Sequence, residues 1–153
     1  MGRASTGALR YNCAVKMAWE HLGLAARHPI ALKDWYARML DAEILLDNGA
    51  QPPAFLLALP GGALLELYPA AHTRPETADN ALSGWRHLAL RVDSIDAAQA
   101  ELSRRGVQFT ESPKPAGWGG RVLFFADPEG NLLHLVERPA DSPVLSRERQ
   151  AER

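Results

Sequence analysis

The chain repeats itself, and the repeat constrains its fold more than any single motif does. His21-Leu22-Gly23-Leu24 returns as His87-Leu88-Ala89-Leu90, and Leu64-Leu65-Glu66-Leu67 returns as Leu132-Leu133-His134-Leu135, at almost the same displacement. Two motifs that recur together in register imply a duplicated supersecondary unit whose copies pack on each other. In the first copy, residues 17–25 alternate as a half-buried strand, with Leu22 and Leu24 on one face and Trp19, His21 and Gly23 on the other. Pro29 suits a first helical position, and Leu32, Trp35, Tyr36, Met39 and Leu40 then form a helical apolar stripe. Strands are expected over 43–46, 54–59 and 63–68, separated by the turn-forming Asn48-Gly49 with Pro52-Pro53 and by Pro60-Gly61-Gly62.

The second copy reads the same way: a strand over 85–92, a helix over 95–105, and strands over 107–110, 122–125 and 132–137. Asp93 or Ser94 can cap the helix, Gly106 can take the left-handed conformation beyond its end, and Asp127-Pro128-Glu129-Gly130-Asn131 forms a tight hairpin connection. The order is βαβββ twice, an α+β class. The expected organisation is an N-terminal arm (1–16), one domain over 17–138 built from modules 17–68 and 85–138 with a linker over 69–84, and a charged tail (139–153) that could include a short exposed helix.

Composition narrows the function. Seventeen basic against eighteen acidic side chains leave a net charge of −1, without the basic excess a nucleic-acid partner calls for. No apolar run approaches a membrane span. The single cysteine, Cys13, cannot pair within the chain, and the start lacks the apolar core of a secretory signal. A cytoplasmic protein acting on a small molecule is therefore expected.

His21, Glu66, His87 and His134 occupy equivalent places in the repeat: first strand, last strand, first strand, last strand. A lone inward His or Glu is more often a hydrogen-bonded core or edge residue than a ligand. Four at matching positions are different, because two modules related by a pseudo-twofold axis can aim them at one point. Imidazole and carboxylate are the donors that hold Zn, Ni, Fe, Mn or Co as divalent ions. Strand alternation puts Trp19 beside His21, Tyr68 beside Glu66, and Trp85 and Arg91 beside His87, an aromatic rim suited to a small-molecule pocket. Arg91 could meet a substrate carboxylate, although an arginine at a strand end is more often in a surface ion pair. His28 and His72 read as solvated, and Trp35 with Tyr36 as helix core. The loop from Gly117 to Gly120, carrying Trp118, reads equally as a pocket lid or a plain hairpin connection.

These segments resemble the vicinal oxygen chelate superfamily, which includes glyoxalase I, extradiol dioxygenases and bleomycin-resistance proteins. The resemblance is carried by His21-Leu-Gly-Leu-Ala, Trp35-Tyr36-Ala37-Arg38-Met39-Leu40, Leu65-Glu66-Leu67, Arg86-His87-Leu-Ala-Leu-Arg-Val-Asp93 and, most specifically, Phe124-Phe-Ala-Asp-Pro-Glu-Gly-Asn-Leu-Leu-His-Leu-Val-Glu137. It implies two βαβββ modules forming an open, cupped mixed sheet around one divalent metal, commonly in a homodimer, with His21, Glu66, His87 and His134 at the ligand positions. The chain departs from the glyoxalase I pattern at His134, where that pattern has Glu. Three His and one Glu leave a divalent site at about +1, suited to an anionic oxygen or to acidifying a bound water. Ala25 and Ala70 stand where bacterial glyoxalase I has an Arg and an Asn for glutathione.

The expected function is a metal-dependent, glyoxalase-like lyase or isomerase acting on a small molecule chelated through adjacent oxygens. Glu66 or His134 would serve as base, with Trp19, Tyr68, Trp85 and Arg91 shaping the pocket. Two alternatives stand beside it: an extradiol ring-cleaving dioxygenase, since two His and a carboxylate suit Fe²⁺ and O₂, and a non-catalytic small-molecule binding protein of the bleomycin-resistance type.

Overall fold

The computed structural model describes residues 18–74 and 78–145. The arm expected over 1–16, Cys13 with it, and most of the tail lie outside the described residues. The first module comprises β1 (His21–Ala26), α1 (Pro29–Leu40), β2 (Glu43–Asp47), β3 (Phe55–Ala58) and β4 (Leu64–Pro69). The second comprises β5 (His87–Arg91), α2 (Ile95–Arg105), β6 (Lys114–Pro115), β7 (Arg121–Ala126) and β8 (Leu132–Glu137). Each module folds into a four-stranded mixed sheet, in the orders β1-β4-β3-β2 and β5-β8-β7-β6. In both, the first and last strands pair in parallel and the remaining pairs are antiparallel.

Two expectations need correction. Residues 107–110 are not a strand; the corresponding strand is β6, two residues long and further on. Val107 and Phe109 alternate as a strand would, but packing satisfies the pattern. Val107 is buried after the helix, its N–H donating to Leu102 O, and Phe109 lies 5.4 Å from the Phe125 ring. The opening strands are also shorter than 17–25 and 85–92. β1 and β5 begin at His21 and His87 because their partners begin at Leu64 and Leu132, and backbone groups before that point have no ladder to join. Trp19 and Trp85 therefore lie outside the sheets.

Both helices form as the sequence dictates. Ser94 Oγ accepts from Ala97 N–H at the start of α2, and Gly106 ends it at φ 109°. Helix α1 starts with Pro29, has no capping side chain at His28 and no acid in its first turn. Its N-terminus is served from the other module: the Glu129 carboxylate accepts from the backbone N–H groups of Arg27 and His28, both at 2.7 Å. At the other end of α1, the Arg105 guanidinium donates to Met39 O and to Asp41. Between these ties one continuous core joins the modules, with Leu32 and Tyr36 of α1, Ile95 of α2, and Leu65 and Leu133 of the two sheets all buried. The Tyr36 hydroxyl donates to Asp127 at 3.2 Å. Burial and that carboxylate hold its pKa well above the ordinary phenol range.

Asp127 organises the β7–β8 turn, accepting from Glu129 N, Asn131 N and the Asn131 amide. The Gly117–Gly120 segment is the β6–β7 hairpin connection, closed by Ala116 N–H to Gly120 O, with Trp118 exposed at its tip. The Arg138 guanidinium fastens it by donating to the carbonyls of Gly117 and Gly119.

Candidate metal centre

The parallel pairings position the candidate ligands. Opposite Glu66 on β1 stands Gly23, and opposite His134 on β5 stands Ala89. His21 and His87 each lie two residues earlier, on the same face, so each histidine reaches diagonally toward the candidate on the last strand. His21 Nε2 lies 3.4 Å from Glu66 Oε2. The His87 and His134 rings stack at 4.5 Å between centroids, tilted by 35°. A small residue at position 23 keeps the floor of the first pair open: a Cβ there would stand 3.3 Å from Tyr68 Cε1 and 3.8 Å from Glu66 Oε2.

The side chains of both pairs are of the kinds that hold a divalent metal. Within one chain the four candidates form two pairs, and among the described residues no three His, Cys, Asp or Glu side chains come together as a metal would require. Glu20 contacts His21 Nδ1. An ionised carboxylate can only accept, so Glu20 pairs with an Nδ1 that carries the proton, and in the neutral imidazole of that tautomer Nε2 is the lone pair. His21 Nε2 and Glu66 Oε2 stand 3.4 Å apart, about the span that a tetrahedral ion imposes on N and O ligands at roughly 2.1 Å. In the other pair, His134 is 8 % exposed, and its Nδ1 is a buried polar atom with no hydrogen-bond partner among the described residues. Burial first, then the neighbouring His87 and Arg138, lowers its pKa to about 4, so the imidazole is neutral at pH 7 and its lone pair is available.

The pocket candidates separate. Tyr68 lies in the first half-site against Gly23. Arg91 lies two pairing steps beyond the Ala89–His134 row, opposite Val136. Trp19 is 67 % exposed, and Trp85, though 87 % exposed, borders a cavity of about 170 Å³ together with Gly23, Arg86 and His87. A cavity of about 400 Å³ does open beside His21 and Glu66, bordered by Glu20, Leu46, Asp47 and Leu56.

Other contacts escape a reading of the sequence. Phe124 sets its edge against both imidazoles, 4.8 Å from His134 and 5.8 Å from His87 between centroids. Lys114 Nζ stands 4.7 Å from the centroid of that phenyl ring. Phe124 is the register partner of His134 across the β7–β8 hairpin, so counting back through the turn could have found it. Asn80, whose Oδ1 lies 2.9 Å from His87 Nδ1, sits in the linker and carries no such signal.

Two βαβββ modules, each closing a four-stranded mixed sheet by pairing its first and last strands in parallel, define the glyoxalase-like class of folds. Within it, the chain belongs to the Glyoxalase/Bleomycin resistance protein/Dioxygenase superfamily, whose family model matches residues 19–135. A 2-epi-5-epi-valiolone epimerase from an Actinomyces species is 34% identical over 121 residues, 74% of this chain and 63% of that protein. The chain spans slightly under two thirds of the length of each curated relative it matches. Among solved structures, a glyoxalase family protein from Enterococcus faecalis superposes with a TM-score of 0.66 at 28% identity, covering 76% of this chain and 94% of that one. TnmS3, an antibiotic binding protein from Streptomyces sp. CB03234, superposes with a TM-score of 0.62 at 27% identity, covering 84% and 100%.

Proposed function

We propose that this chain is a metal-dependent enzyme of the glyoxalase-like lyase or isomerase type, acting on a small molecule chelated through adjacent oxygens. The observation that carries the reading is the duplicated diagonal pair, His21 with Glu66 and His87 with His134, each made of metal-ligand side chains on one sheet face. The similarity to an epimerase supports it, since epimerisation proceeds by moving a proton at carbon.

The site is shared between two copies of the chain in a homodimer. One chain keeps the pairs apart, and the exposed Trp19, Leu46, Tyr68 and Trp85 surround them with apolar surface that a second copy would cover. His21, Glu66, His87 and His134 would hold a divalent ion of Zn, Ni, Fe, Mn or Co, which when bound would supply Lewis-acid polarisation of a substrate oxygen. The protein residues divide the remaining work. His134, buried and neutral at pH 7, would serve as a fixed metal donor. Glu66, 43 % exposed and bordering the cavity, is the group that accepts a substrate proton at its carboxylate. Tyr68 bounds the substrate on one side, and Arg91 flanks the second pair at the rim.

A second reading, a non-catalytic binder, draws on the similarity to TnmS3, with aromatic side chains in the role of clamps. Metal analysis separates the two. Protein purified without chelator should hold about one transition-metal ion per chain, and His87→Ala should lose it while remaining folded. Unchanged metal content in that variant would overturn the assignment, and a wild-type protein that refuses metal would favour the binder. Sharing is tested by refolding His21→Ala and His87→Ala together. A mixed dimer combines one sound half from each chain, so about a quarter of all sites should regain metal; no recovery would place both halves in one chain.

A further inference from the structure

We infer that Glu20 and Asn80 are positioning residues that hold the two first-strand histidines with the proton on Nδ1, leaving Nε2 of His21 and His87 as the lone pair each offers to the metal. The inference rests on the metal-site reading above.

A neutral imidazole has two tautomers, and only one presents Nε2 as a ligand, so whatever bonds Nδ1 selects the competent form. In the first module the residue just before the strand does this: Glu20 contacts His21 Nδ1 and can only accept. The repeat breaks at this position. The equivalent residue in the second module is Arg86, a guanidinium with no acceptor to offer. The second module reaches the same end by another route. Arg86 Nε donates to Trp85 O and its Nη1 to Asp79 O, which ties the linker back onto the start of β5. The Asp79 carboxylate accepts from Ala81 N–H at 2.9 Å and shapes the turn around the residue between them. That residue is Asn80, and its Oδ1 meets His87 Nδ1 at 2.9 Å. The segment between the modules is thus a connection that also delivers an orienting acceptor. One module keeps an ionic orienter beside its histidine, and the other a neutral amide seven residues away in sequence.

The experiment uses the full-length chain, first free of metal and then titrated with Zn²⁺ alone. Long-range ¹H–¹⁵N correlation spectra should show His21 and His87 protonated at Nδ1. Asn80→Ala should move His87 to a mixture of tautomers and weaken Zn²⁺ binding by about 10- to 100-fold in competition with a chromophoric chelator, with the circular dichroism spectrum unchanged. Asn80→Asp, which retains an acceptor, should restore both, and Glu20→Ala against Glu20→Gln should behave in parallel at His21. A wild-type His87 protonated at Nε2, or undiminished Zn²⁺ affinity in Asn80→Ala, would overturn the inference. A wild-type protein that takes up no Zn²⁺ would overturn the metal reading instead, and the tautomer spectra would still decide what Glu20 and Asn80 do.

Discussion

Removing the Glu129 carboxylate tests how the two modules are held together. Helix α1 begins without a capping side chain or a first-turn acid, so its amino end depends on a residue about a hundred positions later. The Glu129 side chain is only 7 % exposed and accepts two backbone N–H groups at 2.7 Å. Hydrogen bonds to an ionised acceptor contribute about 1.5–3 kcal/mol each, and water entering the space left by Glu129→Ala recovers part of that, which leaves a net loss of about 2–4 kcal/mol. With a urea slope of roughly 2 kcal/mol/M for a domain of this size, the unfolding midpoint should fall by about 1–2 M with the slope unchanged. Glu129→Gln keeps one acceptor oxygen without the charge and should recover roughly half the loss. A midpoint shift below about 0.25 M for the alanine variant would refute the reasoning, showing that the shared core alone sets the docking of the modules.

Two further outcomes follow from the same geometry. The pKa of His134 is lowered from 6.5 to about 4, so the unfolded chain binds a proton between those values that the folded chain refuses; stability of the metal-free protein is full above pH 6.5 and falls as pH drops toward 4, by about 3 kcal/mol at most. Asp127, whose carboxyl is raised by burial, acts in the opposite sense, so the measurement is the difference between wild type and His134→Gln in urea melts across that range; parallel pH profiles would contradict it. At Gly120, with φ 85°, a Cβ would contact the Glu137 carbonyl oxygen inside any permitted separation. Gly120→Ala should cost at least about 2 kcal/mol, read as a depressed thermal midpoint, whereas Gly61→Ala, with open space around it, should cost only the strain of its left-handed backbone.

The repeat made most of the architecture legible. Both helices, the βαβββ order of each module, and the placing of the four candidates on first and last strands follow from alternation and displacement along the chain. The missed strand shows where such reading stops: the apolar alternation at Val107 and Phe109 is satisfied equally by a ladder or by packing against a helix and a ring. The separation of the two pairs was not legible, because a duplication says that two halves exist and not which half meets which. Glu129 and Asn80 were invisible for a related reason. Each acts across a gap that no period connects, and each looks in sequence like an ordinary turn or linker residue.

The pairing of β1 with β4, and of β5 with β8, also shapes what this scaffold can tolerate. Each candidate pair is mounted on one parallel register, and every residue between the two members of a pair belongs to a helix, a hairpin or a turn that packs around that mount. Lengthening the β2–β3 connection, which borders the cavity beside His21 and Glu66, remodels the wall of that cavity and leaves the two side chains where the register puts them. A fold arranged in this way can reshape its cavities by editing its periphery, and change the side chain offered at one position, as between Glu66 and His134, by a single substitution at a fixed address.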